Sequence, residues 1–545
     1  MECESLNRLL QDSIREHWER PALSNCDGET ILYKDLAWRI VTLQRMFTGC
    51  GIGRGDKIAI CSRNQVNWAV AFLATLSAGA VPVPILSDFR AGNIHYLVNH
   101  SDARMLFAGS SCIENLDESA MPQLKAVVRM EDFVPVSASD AALADVLACV
   151  KASLREEYSG GFGPDDLIFQ SDESDTLALI NYTSGTSGFA KGVMLPSRSI
   201  VKNIELMHRV APQLDCNANV VSMLPTAHMY GLTMDLIFEM TIGAHVHFLM
   251  RPPSPTVIRD TFSRIRPDII MTVPLVMEKL CRKVMREVGC DIDAADLTPE
   301  QKREANRLLT ETFGGNFSEV VVGGAPLNSR MEDFLVDIGF KYTVGSGMTE
   351  CGPLVSLSSH ANNKPHTCGQ RAFYNEIRID SPDAANIPGE VYIRGGNLFL
   401  GYYKMPRQTA EVMGSDGWFR TGDMGTLDKD GYLSLKGRCN SMILTAAGQN
   451  IFPEEIESMI NNLPYVQESL VVADKNQLLA LIVPDKELVV ADNMSEDDLY
   501  QTLKAEIRTL NQELPTYCTI ARVEIFSEEF EKTPKNSIKR YLYQR

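Results

Sequence analysis

Positive charge is in short supply in this 545-residue sequence. Lysine and arginine number 52 against 70 aspartates and glutamates, a formal net charge of −18. A nucleic-acid footprint needs clustered basic residues, and so does a polybasic membrane patch. Both are disfavoured, and the acidity reads as solubility. Paired-cysteine motifs are missing too. Thirteen cysteines are scattered with no C-x-x-C spacing, which argues for free thiols in a reducing compartment. The opening MECESLNRLLQDSIREHWER lacks the apolar core of a secretory leader. No internal repeat or low-complexity tract is present.

Long apolar runs are scarce. The exception, WAVAFLATLSAGAVPVPIL at residues 68–86, has no charge and approaches the length of a membrane span. It is broken at Gly79 and ends in alternating valine and proline, so it reads as a buried helix, a turn and a short extended piece. The expectation is a cytoplasmic chain without a transmembrane segment. At roughly 150 residues per domain the length suggests three or four compact units. Cores of that size need no disulfide or metal staple.

What is present alternates. Short apolar runs at residues 56–61, 103–108, 177–182, 220–224, 242–248, 268–273 and 319–322 are separated by helical stretches. That alternation implies parallel sheets with helices on both faces. After residue 385 the runs GEVYIR (389–394) and GYLSLK (431–436) are short and punctuated by glycine, suggesting a small antiparallel or barrel-like element. The last hundred residues read as helix 451–460, strands 466–474 and 478–483, helix 496–510 and strand 523–525, a compact α+β module. The charged span 291–312 reads as a solvated helical insertion. The expected fold class is α/β. A large N-terminal domain, residues 1–438, would contain two doubly wound sheets and the barrel-like element. A small mobile α+β domain, residues 439–545, would follow.

The densest chemical signal is TSGTSGFAKG, residues 183–192. A G-x-x-x-x-G-K-[ST] phosphate loop needs glycine five residues after its first; from Gly185 that position is Ala190, so the motif fails. The physics is still that of an anion cradle. Glycines let backbone N–H groups converge, hydroxyls add donors, and Lys191 adds charge. A lone glycine-rich loop is more often a plain flexible turn; a repeated hydroxyl–hydroxyl–glycine core closed by Lys191-Gly192 is far rarer.

Five further segments follow in order: LPTAHMYG (224–231), VVGGAPL (321–327), GSGMTE (345–350), GWFRTGD (417–423) and GRCNSMILTAAGQNIFPEEIE (437–457). Together with TSGTSGFAKG they resemble the signatures of the adenylate-forming superfamily of acyl-CoA synthetases, peptide-synthetase adenylation domains and luciferase, with long-chain fatty acid–CoA ligases the nearest branch. The resemblance implies a two-step reaction. A carboxylate attacks the α-phosphate of ATP to give acyl-AMP and pyrophosphate, and a thiol, usually of coenzyme A, then takes the acyl group.

The resemblance also implies roles. Thr183, Ser184, Gly185, Thr186, Ser187, Gly188 and Lys191 would hold the distal phosphates. Glu350 would bind Mg²⁺, a hard cation that suits an oxygen donor. Thr349 would touch the α-phosphate, with Ser346, Gly347 and Met348 lining the nucleotide site. Asp423 would accept hydrogen bonds from the ribose hydroxyls, with Arg438 nearby. His228 would lie near the substrate carboxylate, and Thr272, Val273, Gly323, Gly324 and Ala325 would border the acyl pocket, with Gly324 and Ala325 also beside the adenine. Plainer readings exist: Asp423 as a turn residue after Gly422, His228 as a core histidine. His245 and His247 alternate on a strand and read as structural, with no third ligand.

Three positions depart from the family pattern. Ser346 stands where an aromatic ring stacks on adenine, a contact worth roughly 1–3 kcal/mol; Tyr342 or Phe340 is the candidate substitute. Asn440 replaces the usual hinge Asp or Lys. Near the end, TPKNSIKR (533–540) puts Ser537 where the family has its catalytic lysine. If that segment is extended, Lys535 and Lys539 flank Ser537 on its own side, and Lys535 is the candidate. The expected partners are small molecules: a fatty acid, ATP and coenzyme A. Transfer to an acyl carrier protein, activation of an aromatic acid, and a non-catalytic ATP- or acyl-binding protein remain alternatives.

Overall fold

The uncharged run at residues 68–86 folds as helix, turn and strand. In the helix Val66–Ser77 every residue is buried. The chain turns at Gly79, with φ of +69°, into Val81–Ile85, a strand buried along its whole length. A helix enclosed on all sides needs no polar face, which is why its sequence resembles a membrane span. Trp68 is fully buried and stacks on Phe72 with ring centroids 5.5 Å apart. No helix among the described residues is long and apolar enough to cross a membrane.

The computed structural model describes residues 5–139, 141–183, 190–290, 297–444, 450–474, 477–533 and 538–545. The chain divides into two compact units, Met1–Glu376 with Arg394–Phe419, and Ile377–Ile393 with Arg420–Arg545.

The first unit holds two largely parallel sheets. One has five strands in the order Val81–Ile85, Lys57–Cys61, Ala103–Ala108, Ala126–Arg129, Pro135–Ala138; only the last pair is antiparallel. The other has seven, in the order Thr343–Val344, Glu319–Val322, Ile269–Thr272, Asn219–Ser222, His245–Phe248, Pro21–Asn25, Thr30–Leu32. Again only the final pair runs antiparallel. Strands such as Glu319–Val322 and Ile269–Thr272 are buried at every residue, the mark of parallel sheets covered on both sides.

A third sheet pairs Gly401–Tyr402, Lys191–Pro196 and Leu177–Thr183, all antiparallel. The strand entering the glycine–hydroxyl motif is thus one arm of a hairpin. Residues 184–189 between its arms lie outside the described residues.

The helix within the charged span 291–312 is packed rather than solvated. It begins at a capping box made by Thr298 and Gln301 and runs over Pro299–Thr312. Ala305 and Leu309, four residues apart on one face, are fully buried with Phe313 and Leu335. The outer face carries Arg307 paired at 2.6 Å with both Glu304 and Glu311. Its charge density hides an apolar stripe of Ala305, Leu308 and Leu309.

In the second unit, the barrel-like element is an open sheet of four strands, Asn375–Asp380, Gly389–Gly395, Phe419–Leu427 and Leu433–Arg438 in that order. Among the described residues nothing closes it. Beyond it, Val466–Asp474 pairs antiparallel with Gln477–Pro484, which pairs parallel with Ile520–Ile525. Side-chain alternation splits this sheet cleanly. Val471, Ala480 and Ile482 pack with residues of the helices Pro453–Ile460 and Glu496–Glu513, while Leu470, Val472 and Leu481 pack with Phe530.

The enclosed helix supplies a stability test. Trp68→Ala should destabilise the first unit by about 3–5 kcal/mol, measured as a lowered urea midpoint; an unchanged midpoint would contradict its placement.

Candidate active site

Lys191 opens the middle strand of the three-stranded sheet, directly after the glycine–hydroxyl motif. Its neighbour on the same face, Val193, pairs with Tyr402, so Lys191 and Tyr402 are diagonal cross-strand partners. The ammonium sits over the tyrosine ring, 4.7 Å from its centroid. The Tyr402 hydroxyl in turn donates to Glu350 Oε1 at 2.9 Å. Tyr402 and Glu350 are both buried. Among the described residues, neither Lys191 nor Glu350 has an ion-pair partner within 4.0 Å.

Glu350 lies in a single 3-10 turn, Thr349–Cys351, that ends at Gly352 with φ of +65°. A Cβ at Gly352 would also collide with Ser199 Oγ, so the position demands glycine twice over. Two fully buried asparagines fix the turn. Asn203 Nδ2 donates to the Cys351 carbonyl at 3.0 Å and Asn203 Oδ1 accepts the Leu354 N–H at 2.8 Å. Asn397 Nδ2 donates to the carbonyls of Cys351 and Leu354, both at 2.8 Å. The Phe399 N–H donates to the Glu350 carbonyl at 2.9 Å. Just before the turn, Ser346 and Gly347 pair with Leu354–Ser356, and the Met348 N–H donates to the Pro353 carbonyl at 2.8 Å. Tyr342 and Phe340 do not stand in for a ring at Ser346. Both are buried in the core: Tyr342 donates to Glu332 Oε1 at 3.1 Å, and Phe340 packs on Phe317 with centroids 5.5 Å apart.

His228 caps the short helix Met229–Leu232, its Nδ1 accepting the Tyr230 N–H at 3.4 Å. The segment before it is anchored from two sides. Asn64 Nδ2 donates to the Leu224 carbonyl at 2.6 Å and Asn64 Oδ1 accepts the Thr226 N–H at 2.9 Å. Asn181, on the motif hairpin, donates to the Ala227 carbonyl at 2.9 Å. The structure therefore ties His228's segment to the strand that leads into the anion motif.

The buried Tyr230 hydroxyl donates to the Val321 carbonyl at 2.9 Å, and its ring is what a Cβ at Gly323 would meet. The Gly323 N–H donates to the Thr272 carbonyl at 3.1 Å. Gly324, with φ of +89°, faces Val273, and Ala325 beside it is exposed. Thr272, Val273, Gly323 and Gly324 thus adjoin one another, with Tyr230 against them. The sequence reading missed Tyr230 as well as Tyr402, Asn203 and Asn397. Tyr230 lies within HMYG itself, and the other three carry no motif signal. The His245 and His247 rings lie tilted with centroids 3.9 Å apart, and burial lowers their pKa values to about 4 and about 3.

In the second unit, Asp423 lies opposite Arg438 in an antiparallel pair, with Arg438 Nε 2.8 Å from Asp423 Oδ1. Asp423 is a strand residue, not part of a turn, although Gly422 before it has φ of +73°. Its N–H donates to Thr421 Oγ1 at 3.0 Å, and that hydroxyl donates to the Val391 carbonyl at 2.8 Å. Asn440 is exposed in the turn that follows Arg438.

Lys532 and Ile538 form an antiparallel bridge, and the Lys539 N–H donates back to the Glu531 carbonyl at 2.8 Å. Lys539 pairs with Glu531. Lys535 and Ser537 lie outside the described residues, as do Ser184, Gly185, Thr186, Ser187 and Gly188. Arg540 anchors the segment's end on the buried Glu457, whose Oε1 also accepts the Val471 N–H at 2.6 Å.

With this geometry in place, comparison with known proteins is informative. The AMP-binding enzyme family model matches residues 10–403, and that of the AMP-binding enzyme C-terminal domain matches 440–545. The long-chain-fatty-acid–CoA ligase FadD15 of Mycobacterium bovis is 27% identical over 542 residues, spanning 90% of this chain and 86% of the relative. Among solved structures, the anthranilate CoA ligase AuaEII in complex with anthranoyl-AMP aligns with a TM-score of 0.78 at 18% identity, over 99% of this chain and 96% of the other. The o-succinylbenzoate coenzyme A synthetase MenE of Bacillus subtilis, in complex with ATP and magnesium ion, aligns with a TM-score of 0.75 at 19% identity over 98% of each chain. Identities this low carry the fold alone.

Burial, outweighing the Arg540 charge, pushes the Glu457 carboxyl up to about 7. Unfolded, it titrates near the ordinary glutamate value of about 4.3. Between those values the folded chain holds the extra proton, so stability falls as pH rises through this window. Glu457→Gln should flatten that decline, read from urea midpoints across a pH series; an identical slope would refute the assignment.

Proposed function

Because the chain belongs to the AMP-binding enzyme family, we propose that it is an AMP-forming ligase that joins a carboxylic acid, of the long-chain fatty class, to coenzyme A. A carboxylate oxygen attacks the α-phosphorus of ATP, pyrophosphate leaves, and acyl-AMP remains. The coenzyme A thiol then attacks the acyl carbon and AMP leaves. A carboxylate is a weak nucleophile facing a polyanion, so positioning and charge neutralisation carry the catalysis.

The observation that carries this reading is the joining of Lys191 and Glu350 through one side chain, Tyr402. It sets a cation for phosphate beside an oxygen donor for a metal. Lys191 and residues 183–188 hold the distal phosphates. Glu350, a buried carboxylate steadied by a neutral hydroxyl, fits a hard cation such as Mg²⁺. When bound, that ion neutralises phosphate charge. Thr349, next to Glu350, meets the α-phosphate, and Ser346, Gly347, Met348, Gly324 and Ala325 border the nucleoside. His228 attends the substrate carboxylate, with Thr272, Val273 and Gly323 beside the acyl chain.

Asp423, fixed by Arg438, takes the ribose hydroxyls. Residues 1–438 bind ATP and acid, and residues 439–545 act as a mobile lid that brings in a lysine. Since Lys539 is engaged by Glu531, Lys535 is the lysine we assign. The twelve described cysteines are all free thiols, which supports a reducing, cytoplasmic setting. The long-chain assignment rests on the named activity of the FadD15 relative.

The test is acid-dependent exchange of labelled pyrophosphate into ATP across a panel of fatty and aromatic acids. Long-chain acids should support it; exchange with aromatic acids alone would move the substrate class, and no exchange would leave a binding protein. Product analysis with coenzyme A against an acyl carrier protein identifies the acceptor. Lys535→Ala should cut exchange at least a hundredfold while Lys539→Ala stays within a few-fold of wild type, and the reverse order would reassign the lysine. Asp423→Ala should raise the KM for ATP about ten- to a hundredfold.

A further inference from the structure

The proposed reaction needs the Lys191 ammonium and the Glu350 carboxylate in the same small region, yet as separate instruments. One must meet phosphate oxygens and the other a metal ion. Opposite charges this close, partly shielded from water, ordinarily collapse into an ion pair. A collapsed pair would spend both on each other.

The structure shows what stands between them. The Tyr402 ring takes the ammonium on its face at 4.7 Å, and its hydroxyl meets Glu350 Oε1 at 2.9 Å. A ring satisfies an ammonium through its quadrupole without neutralising it. A phenolic donor satisfies one carboxylate lone pair without protonating it. Both groups are thereby oriented while their charges remain available.

Tyr402 is itself held rigidly. Its N–H donates to Thr409 Oγ1 at 2.9 Å, and its ring packs on Phe399 with centroids 5.0 Å apart. The Phe399 N–H returns to the Glu350 carbonyl at 2.9 Å. The spacer is thus anchored to the same turn that carries the glutamate.

We infer that Tyr402 is a positioning residue for the adenylation half-reaction: an aromatic spacer that keeps the phosphate lysine and the metal glutamate oriented and unpaired. This rests on the proposed ligase reading, and it assigns to Tyr402 no direct contact with substrate. Two parts of the side chain do different jobs. The hydroxyl sets Glu350 and therefore magnesium; the ring sets Lys191 and therefore phosphate.

Isothermal titration calorimetry of ATP binding to the full chain across a magnesium series separates them, alongside pyrophosphate exchange. Tyr402→Phe keeps the ring. It should raise the magnesium concentration for half-maximal ATP binding about three- to tenfold while leaving ATP affinity at saturating magnesium within twofold of wild type. Tyr402→Leu removes both and should also weaken ATP binding at saturating magnesium about tenfold or more. A purely structural role would lower the melting temperature without moving the magnesium dependence.

If Tyr402→Phe folds normally and binds ATP with the wild-type magnesium profile, the spacer role fails. A wild-type chain that binds Mg·ATP but supports no exchange overturns the ligase reading alone, since the two variants still report on binding. A wild-type chain that binds no Mg·ATP overturns both.

Discussion

In the proposed ligase, two opposite charges that serve one polyanion must be held near each other without being allowed to cancel. Much of the first unit's local architecture follows from this constraint. Lys191 begins a strand that pairs antiparallel with Leu177–Thr183, the strand entering the motif. Tyr402 reaches Lys191 because a two-residue strand, Gly401–Tyr402, adds to that hairpin. Glu350 faces Tyr402 because two buried asparagines from distant parts of the chain grip the turn that carries it. Removing either would strand buried peptide groups, which cost about 1–3 kcal/mol each when unsatisfied.

Much of this was legible in residues alone. The alternation of apolar runs with helical stretches located six parallel strands to within three residues, because strands buried on both faces leave continuous apolar signals; the seventh run, Leu177–Thr183, is antiparallel, and the parallel strands Pro21–Asn25 and Ala126–Arg129 were missed. The ordered motifs single out Lys191, Glu350 and Asp423 as candidates because their residue types and spacings are rare in combination. Tyr402 left no such trace: its partners lie 211 and 52 residues away, and nothing in GYY marks which tyrosine turns inward. The period-two expectation for TPKNSIKR falls on residues 534–537, which lie outside the described residues. The helix in the charged span 291–312 reads as solvated because only three apolar residues, Ala305, Leu308 and Leu309, seat it.

The interior of the first unit carries a second kind of strain. Asp235 and Glu239, one helical turn apart after His228, are both fully buried, and burial pushes both carboxyls well above the usual range. Neutral carboxylic acids are tolerable inside where carboxylates are not. The stretch around Asp235 is wound as a π-helix, Thr233–Ile237, so the winding relaxes where the polar group must fit. In the second unit the buried acid Glu457 is handled differently, by bringing in Arg540 from the far end of the chain.

The glycine that ends the turn carrying Glu350 has a one-sided consequence. Ser199 could lose its hydroxyl, giving up only its bond to the Asn397 carbonyl. Doing so would open room at residue 352, yet the left-handed backbone there would still reject a side chain. Drift at this corner can therefore run in one direction only: the serine may wander while the glycine stays frozen, and with it the pitch at which the acid is presented.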